Sequence, residues 1–537
     1  ASREQNDVSY PRSPSPMESL EPRLPHRAAS SAANPAARDQ ALQAVVGWQN
    51  RPVAVVSYES RGAVLIIGPR NAALDAAQRL APDVECLALV TGADALESHT
   101  PTAGSRRAAF FVGKLAALEG HLGHFRVRLE AGEQQADLIE LGVSSRETVD
   151  LVLDLDDPPW IRSQLPPPGY FAPSGNPQAL DAALAQIPGL VGQFEKPQFF
   201  AYDPSICAHS RSGVQACTPC IDACPADAIR SDGDQGIEVD PHLCQGAGSC
   251  ASACPSGAIR YHYPALGDSL ERLDKVLKVY REAGGERPIL LFHDQEGGAD
   301  RLEKIADRLP GNVLPLEVVE LGSVGMDQWF AALAFGAARL VLLGSTEMPA
   351  SVVAELQAQQ TVAQALLDGM GYPEAAVTVD TGPAEDQLLM DLGRPELDLT
   401  IKATAFACLD DKRAVLRLAL DHLFHQAPTP RPLITLPSGA AFGEVSLVEG
   451  RCTLCMACVS QCPGKALIEG GDLPQLKFVE DNCVQCAMCA RVCPENAIAP
   501  SPRYLFDGLE RRKLRLLKEG PPFLCVHCGT PFATPSV

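Results

Sequence analysis

The sequence lacks the long apolar runs and the basic excess that would tie a protein to a membrane or to nucleic acid. No apolar segment reaches the roughly 18 residues that a membrane-spanning helix needs. The nearest candidate, WFAALAFGAARLVLLG, is shorter and contains Arg339, so it predicts a helix followed by a strand. Lysine and arginine number 45 against 66 aspartate and glutamate residues, a formal net charge of −21. This charge disfavours binding to phosphate backbones and anionic membranes, and it suits a protein partner with a basic surface.

The N-terminal region also lacks the apolar segment of a secretory signal. Residues 1–37 are polar and rich in proline, serine and alanine. Such a composition buries too little apolar surface to fold, so we expect a disordered tail here. The absence of a signal sequence favours a cytoplasmic protein.

Cysteine, in contrast, is abundant, and its 19 residues are unevenly distributed. Seven lie within residues 207–254, eight within 452–493, and two more are Cys525 and Cys528. Groups of cysteines with two-residue gaps, in a chain without a secretory signal, indicate metal ligands in a reducing compartment and not disulfides.

The most specific motifs are two cysteine runs near the C-terminus with the spacing C-x2-C-x2-C-x3-C-P. They are CTLCMACVSQCP, from Cys452, and CVQCAMCARVCP, from Cys483. In bacterial ferredoxins with this spacing, three thiolates of a run hold one [4Fe–4S] cluster and the fourth ligates the other cluster. The spacing therefore predicts two ligand sets: Cys452, Cys455, Cys458 and Cys493 (site 3), and Cys462, Cys483, Cys486 and Cys489 (site 4).

The two-residue gaps have a physical reason, because they let a loop curl around one face of a cluster. The three-residue gap then begins a helix that carries the last thiolate to the neighbouring cluster. Zinc is the alternative metal for these cysteines. Zinc sites usually pair two C-x2-C motifs across a longer gap, and they do not need four evenly spaced cysteines before a proline, so the runs favour iron–sulfur clusters.

The same module occurs earlier in the chain in an altered form. Four segments share the endings CPADAI, CPSGAI, CPGKAL and CPENAI, which marks residues 207–260 and 452–498 as internal copies. In the first copy, the nine residues AHSRSGVQA separate Cys207 from Cys217, where two would be usual. A long surface loop adds little entropic cost, so we expect a normal [4Fe–4S] site with four ligands: Cys207, Cys217, Cys220 and Cys254 (site 1).

The stretch HLCQGAGSC supplies the other half of this copy, but Ala247 stands where the second cysteine belongs. With the crossover thiolate, three ligands remain: Cys224, Cys244 and Cys250 (site 2). Three thiolates suit a [3Fe–4S] cluster, or a [4Fe–4S] cluster with one iron open to water, substrate or a side chain such as His209 or His242. Complete loss of the cluster is the alternative, and it would leave three orphan thiols.

The last two cysteines form the motif CVHCG. Cys525 and Cys528 provide half of a zinc-ribbon site. Two ligands cannot hold tetrahedral zinc, so the other pair would come from beyond Val537 or from a partner, or the thiols have no ligand role.

Two α/β regions surround the cysteine modules. Near the N-terminus, PVAVVSY, AVLIIG, NAALDAAQRL and LALVTG predict strand, strand, helix and strand. The turn GPRNAA lies where a dinucleotide-binding fold has its glycines, but Arg70 would obstruct a pyrophosphate, so we expect no nucleotide there. A β-α-β-α-β series from PILLFH to RLVLLGS predicts a parallel sheet between the modules.

We therefore predict a multidomain α/β protein in which two double-cluster ferredoxin modules of α+β type are inserted between Rossmann-like or flavodoxin-like lobes. The predicted boundaries are a tail (1–37), an N-terminal α/β domain (38–195), ferredoxin module 1 (196–265), a middle α/β lobe with helices (266–430), ferredoxin module 2 (431–502), and a C-terminal helix with the half zinc ribbon (503–537).

A resemblance to a known family follows from GLVGQFEKPQFFAYDPSICAH, CTPCIDACPADAI and the order of modules. The chain resembles bacterial cytoplasmic polyferredoxins related to heterodisulfide reductase and to the delta subunit of its hydrogenase. Within this group it is most similar to proteins encoded beside molybdenum- or tungsten-dependent formate dehydrogenases. It departs from them in lacking the delta-subunit cysteines in the middle lobe and the glycines of a flavin site.

The resemblance implies a non-catalytic subunit that carries electrons between a redox partner, here a formate dehydrogenase catalytic subunit, and a second acceptor. An alternative is a stand-alone or flavin-dependent oxidoreductase of heterodisulfide reductase type, with site 2 as its reaction site. A third possibility is an adaptor whose clusters only stabilise the fold.

Overall fold

The computed structural model describes most of the chain outside its first 31 residues. The described residues are 32–91, 97–99, 108–131, 134–140, 144, 146–211, 213–233, 235–394, 399–407, 410–448, 450–471, 473–524, 526–528 and 531–533. Helix α1 (Asn34–Gln43) begins inside the predicted tail. Its Ala37 and Ala41 are fully buried in the core of the middle lobe, and this burial stabilises a helix that begins with a proline in its first turn. Residues 34–37 of the predicted tail are therefore helical, and residues 1–31 lie outside the described part.

The N-terminal domain has a six-stranded sheet in the order β11-β10-β2-β3-β5-β4, parallel except for β4. Along β2, Val64 and Ile66 face one apolar cluster while Leu65 and Ile67 face another, so both faces of the sheet are covered, as is typical of parallel sheets. A smaller sheet contains β6 to β9, and β1 pairs with β12. The elements are β1 (Val55–Ser60), β2 (Ala63–Gly68), α2 (Arg70–Leu80), β3 (Glu85–Val90), β4 (Glu97–His99), β5 (Ala108–Val112), β6 (Leu115–His121), β7 (His124–Ala131), β8 (Gln134–Asp137), β9 (Thr148–Val149), β10 (Leu151–Asp154), β11 (Tyr170–Phe171), α3 (Pro177–Gln186) and β12 (Gly192–Pro197).

Module 1 is built from short strand pairs and one-turn helices. Strand β13 pairs with β18, β16 pairs with β17, and β14 and β15 form a hairpin between Cys207 and Cys217. The elements are β13 (Phe200–Tyr202), β14 (Ser210–Arg211), β15 (Val214–Gln215), α4 (Pro219–Asp222), β16 (Ile229–Ser231), β17 (Ile237–Val239), α5 (Ser249–Ala253) and β18 (Ile259–Tyr261).

The middle lobe has four parallel strands in the order β20-β19-β21-β22. Every residue of α8 is buried, which explains its almost wholly apolar sequence, and the next strand is the predicted RLVLL segment. The elements are α6 (Leu266–Glu282), β19 (Ile289–His293), α7 (Gly297–Ile305), β20 (Val313–Glu317), α8 (Met326–Ala334), β21 (Arg339–Leu343), α9 (Ala350–Met370), β22 (Val377–Asp380), α10 (Glu385–Leu392) and α11 (Lys412–His425).

Module 2 extends beyond its predicted boundary at residue 502. Strand β27 continues to Leu505, and β28 joins the sheet β25-β26-β28, because the exposed edge of β26 needs a partner for its backbone groups. Among the described residues, no helix has both the length and the apolar character needed to cross a membrane. The elements are β23 (Leu433–Thr435), β24 (Gly443–Leu447), α12 (Ala457–Ser460), β25 (Leu467–Gly470), β26 (Leu473–Phe478), α13 (Met488–Arg491), β27 (Ile498–Leu505), α14 (Gly508–Arg512), β28 (Arg515–Glu519), β29 (Phe523–Leu524) and β30 (Pro531–Ala533).

Candidate iron–sulfur centres

The four CP repeats end in the same backbone turn. The third residue after the cysteine has a positive φ in every repeat: Asp227 (50°), Gly257 (74°), Lys465 (51°) and Asn496 (48°). This turn directs the next amide back to the thiol in module 2, where the amide nitrogens of Ala466 and Ala497 lie 3.2 and 3.3 Å from the sulfurs of Cys462 and Cys493. The repeats inferred from the sequence are thus repeats of structure.

The cysteine loops of module 2 share a second backbone feature. Leu454 and Met456, on either side of Cys455, have φ values of 62° and 60°, and Gln485 and Ala487 around Cys486 have 53° and 60°. A left-handed conformation costs a non-glycine residue roughly 1–2 kcal/mol. Such strain persists where the surrounding structure compensates for it, and a group bound inside the curled loop would provide that compensation.

The loop that lacks a cysteine keeps this curled backbone. Gly246 and Gly248 flank Ala247 and have φ values of 84° and 79°, in the same positions relative to Ala247 as the left-handed residues of module 2 relative to Cys455 and Cys486. The loop around Ala247 therefore retains the shape of a cluster-binding loop, and what differs is the single thiol.

The cysteines of module 2 line two separate pockets. One pocket is lined by Cys452, Cys455, Cys458 and Cys493. The other is lined by Cys462, Cys483, Cys486 and Cys489. Each pocket takes three cysteines from one run and the fourth from the other run, so the structure brings together the residues that the sequence predicts for sites 3 and 4.

A third pocket contains the cysteines predicted for site 2. Cys224, Cys244 and Cys250 line it together with Ala247. The remaining lining residues are mainly apolar and include Phe200, Ile229 and Ile259. The missing thiol thus corresponds to a methyl group on the wall of a pocket that already has three thiols.

Three of the four cysteines of site 1 lie together in a buried cluster. Cys207, Cys220 and Cys254 pack with isoleucines of β16, β17 and β18. Burial and then the nearby thiols of Cys254 and Cys207 raise the pKa of Cys220 to about 12. The pKa of Cys217 is also raised, by burial first and then by neighbouring thiols that include Cys254 and Cys220. Thiolates this close in an apolar interior require a positive partner, and a metal cluster supplies one.

The cysteines surround pockets and do not converge on a point. Among the described residues, no group of three or more His, Cys, Asp or Glu side chains is arranged to hold a single metal ion. The donor sets, the curled loops and the apolar pockets fit iron–sulfur clusters, which are larger than one ion and are ligated by thiolates.

The two histidines considered as extra ligands for site 2 have other partners. The ring nitrogens of His209 lie 2.8 Å from the Cys217 carbonyl oxygen and 2.9 Å from the Ser231 hydroxyl. The ring of His242 stacks on His121 of the N-terminal domain, with 4.3 Å between centroids. Neither histidine lines the pocket of site 2.

A buried lysine that carries no sequence motif lies beside site 2. The Nζ atom of Lys196 donates hydrogen bonds to the carbonyl oxygens of Cys244 (2.7 Å) and His242 (2.9 Å). It also lies 5.0 Å from the ring centroid of Tyr58. Burial lowers the pKa of Lys196 to about 8, against the opposing effects of Cys244 and Asp240. The spacing of cysteines gave no signal for this residue.

The middle lobe covers the loop around Ala247. A Cβ atom at Gly322 would lie 2.3 Å from the Ala247 carbonyl oxygen, and one at Gly248 would lie 2.5 Å from Ser323. The Ser252 hydroxyl donates to the Gly322 carbonyl oxygen at 2.8 Å. Two glycines therefore permit close backbone contact between the lobe and the loop. Cys455 of site 3, in contrast, is exposed.

Two predictions outside the clusters have partial structural counterparts. Cys528 is exposed, whereas Cys525 lies outside the described residues. The distance between the two thiols of the predicted zinc half-site is therefore not defined. At the GPRNAA turn, Arg70 is the first residue of α2, and its guanidinium lies 5.5 Å from the ring centroid of Phe110.

Comparisons with known proteins agree with this geometry. Residues 197–258 and 451–498 each match a family described as a 4Fe-4S dicluster domain. A 67-residue segment is 34% identical to a subunit of the tetrathionate reductase of Archaeoglobus fulgidus, over 12% of this chain and 30% of that protein. The chain thus spans less than a third of this curated relative's length. It is an iron–sulfur protein with two 4Fe-4S dicluster domains joined to α/β lobes.

Proposed function

We propose that the chain is the electron-transfer subunit of an oxidoreductase complex and relays electrons between a redox enzyme and a second acceptor. The observation that carries the proposal is the sorting of cysteines from both halves of each module around common pockets.

The proposed ligands are those predicted from the sequence. They are Cys207, Cys217, Cys220 and Cys254 at site 1; Cys224, Cys244 and Cys250 at site 2; Cys452, Cys455, Cys458 and Cys493 at site 3; and Cys462, Cys483, Cys486 and Cys489 at site 4. We propose [4Fe–4S] clusters at sites 1, 3 and 4 and a [3Fe–4S] cluster at site 2, because the pocket of site 2 has three thiols and the methyl group of Ala247.

The protein's own residues bind the clusters and adjust their surroundings. Bound iron–sulfur clusters supply one-electron carriers with potentials between roughly −700 and +450 mV. The thiolates hold them, the amides of Ala466 and Ala497 donate to the sulfurs of Cys462 and Cys493, and the apolar lining excludes water. Lys196 places a buried positive charge beside Cys244, which favours the reduced form of site 2.

The partner belongs to the proposal as well. The resemblance to polyferredoxins favours a cytoplasmic molybdenum- or tungsten-dependent formate dehydrogenase as one partner. The relative with matching sequence is named as a subunit of a reductase, which supports a role within an oxidoreductase complex. Cover of the Ala247 loop by Gly322 and Ser323 favours a relay at site 2 over a reaction site open to bulky substrates. Zinc at Cys525 and Cys528 remains a proposal from the sequence alone.

The test combines metal analysis with one crossover variant. Anaerobically purified protein should contain iron and sulfide, be reduced by dithionite and be reoxidised by an added acceptor. Cys462→Ser should remove the same EPR signals as Cys486→Ser, because both residues line the pocket of site 4, and should leave those lost in Cys455→Ser. A protein that binds zinc instead of iron would overturn the proposal, and loss of the Cys455 signals in Cys462→Ser would overturn the ligand assignment.

A further inference from the structure

The segment that separates Cys207 from Cys217 contains a β-hairpin, which is described except for Ser212. Strands β14 and β15 pair with Ser210 opposite Gln215. At its base, the amide of Ala216 donates to the His209 carbonyl oxygen at 2.7 Å. The His209 ring bridges Cys217 and Ser231, as described above. The extra residues therefore form an arm that is attached firmly to module 1.

This arm contacts module 2. The Nη1 atom of Arg491 donates to the carbonyl oxygen of Gln215 at 2.6 Å, and the Gln215 side chain donates to the Ser231 hydroxyl at 2.9 Å. Arg491 is the last residue of α13, the helix that contains Cys489. One side of the arm is thus bonded to module 1 and the other to the helix that supplies a thiol of site 4.

A second arginine joins the modules from the middle lobe. Arg413, near the start of α11, donates to the carbonyl oxygens of Pro255 (3.1 Å) and Cys483 (3.0 Å). Pro255 follows Cys254 of site 1, and Cys483 belongs to site 4. The guanidinium also lies 4.9 Å from the ring centroid of Phe442, so it is held on three sides.

Within each module, the cysteines of the two sites pack in one apolar cluster. Cys458 of site 3 and Cys483 of site 4 are buried in the same cluster, and Cys224 and Cys250 of site 2 pack against the buried cysteines of site 1. Site 3 therefore adjoins site 4 and site 2 adjoins site 1, while the arm and Arg413 lie between sites 4 and 1.

We propose that the hairpin, Arg491 and Arg413 hold the two modules so that site 1 adjoins site 4, which arranges the four sites as one series in the order 3, 4, 1, 2. The proposal rests on the proposed function, since it assigns a path to the relay. One electron crosses the junction at a time: site 4 loses it as site 1 gains it, or the reverse, and no atom is transferred. The hairpin and the two arginines are positioning elements of this path.

The test uses the full chain with Cys250→Ser and Cys455→Ser, which leaves sites 1 and 4 as the intact neighbours. After reduction with dithionite, the EPR spectrum should show magnetic coupling between two [4Fe–4S] clusters. Adding Arg491→Met and Arg413→Met should abolish the coupling while the iron content stays unchanged. Arg491→Lys with Arg413 intact should keep it. The matched control is Arg431→Met, because Arg431 also donates to a backbone carbonyl oxygen, that of Asp368 at 3.0 Å, but away from the junction.

The outcomes separate the two proposals. Two uncoupled cluster signals in the parent with both arginines would overturn the junction and leave the electron-transfer function standing. Absence of iron at every site would overturn the function itself. If the double variant loses iron, the single variant Arg491→Met tests the proposal instead, because it removes only a hydrogen bond at the surface. Weakened magnetic coupling in this variant would support the junction. Unchanged coupling would contradict the role of the hairpin.

Discussion

The Nε atom of Arg511 lies 3.0 Å from the Oδ1 atom of Asp481, and both side chains are almost fully buried. Arg417 also contacts this carboxylate, at 3.3 Å, and a second guanidinium nitrogen of Arg511 lies 3.2 Å from Asp421. Asp481 belongs to module 2 two residues before Cys483, whereas Arg417 and Asp421 belong to α11. The ion-pair network therefore connects the middle lobe to the loop that enters site 4.

Removal of one partner of this network should destabilise the protein. Arg511→Met leaves Asp481 buried with less charge compensation, and breaking a buried ion pair costs roughly 3–5 kcal/mol. We expect a marked fall in the thermal unfolding midpoint, which can be measured by calorimetry and by the loss of cluster absorbance. The control is Arg308→Met, whose partner Asp386 is exposed, and an exposed pair is worth at most about 1 kcal/mol. Equal midpoints for the two variants would contradict the structural role of the network.

Restoring the missing cysteine should change the cluster of site 2. Ala247→Cys places a fourth thiol on the wall of a pocket that already contains Cys224, Cys244 and Cys250. The EPR signal of an oxidised [3Fe–4S] cluster should disappear, and the iron content should rise by about one atom per chain, since the fourth iron of a cube gains its ligand.

Ala251→Cys is the control for this substitution, because Ala251 lines a different cavity, next to the middle lobe. It should leave both the spectrum and the iron content unchanged. If Ala247→Cys also has no effect on either measurement, the proposed [3Fe–4S] cluster at site 2 is wrong.

The buried lysine should influence the potential of site 2. Lys196→Met removes a positive charge that donates to the Cys244 carbonyl oxygen, so the reduced cluster loses stabilisation and the midpoint potential should fall by an amount on the order of 50 mV. A redox titration followed by EPR measures this shift.

Two control variants test whether the shift in potential comes from the charge of Lys196 and whether it is local to site 2. Lys196→Arg keeps the charge and should restore most of the potential. Lys518→Met removes an ammonium that donates to the Cys452 carbonyl oxygen at 2.5 Å, so it should shift site 3 and leave site 2 unchanged. A fall of the same size at site 2 in Lys518→Met would show that the effect is not local.

Acid should weaken the attachment of the N-terminal domain. The pKa of His121 is lowered to about 4, chiefly by burial and further by His242 and His124, while the Leu122 carbonyl and Asp240 oppose the shift. The unfolded chain has a histidine pKa near 6.5 and takes up a proton first as the pH falls. The stability contributed by neutral His121 is therefore present above about pH 6.5 and is lost between pH 6.5 and 4.

The measurement compares unfolding midpoints at pH 7 and pH 5. The difference should be smaller in His121→Phe than in the parent, because phenylalanine can stack on His242 but cannot be protonated. His425→Phe changes an exposed histidine of α11 and should behave like the parent. A parent-like pH dependence in His121→Phe would exclude His121 as the source.

The cysteine spacing predicted which cysteines line each of three pockets, because the motif is local; their role as cluster ligands stays a prediction. A C-x2-C-x2-C-x3-C-P run fixes its own turn, and the crossover of Cys462 and Cys493 follows from the repeat, so no long-range information was needed. Similarly, the strand predicted at AVLIIG is confirmed by β2, and the structure adds that both of its faces are buried.

The residues that join the domains could not be predicted in this way. Lys196, Arg413 and Arg491 act across sequence separations of 46 to 276 residues, and an isolated basic residue in a sequence has no pattern. The sequence of helix α1 is typical of a polar tail. Its burial could not be predicted, because the residues that cover it lie more than 200 residues later in the chain. The role of these residues in joining the domains is visible only in the tertiary structure.

The close approach of Gly248 to Ser323 and of Gly322 to Ala247 has a consequence for how this protein can vary. A side chain at either position would meet backbone atoms of the other domain, and no rotamer change can relieve such a clash. The ferredoxin loop and the middle lobe are therefore constrained to change together. A module 1 taken from another protein would assemble with this lobe only if it brought a loop of equally small residues, so the loop and the lobe have to be exchanged as one unit.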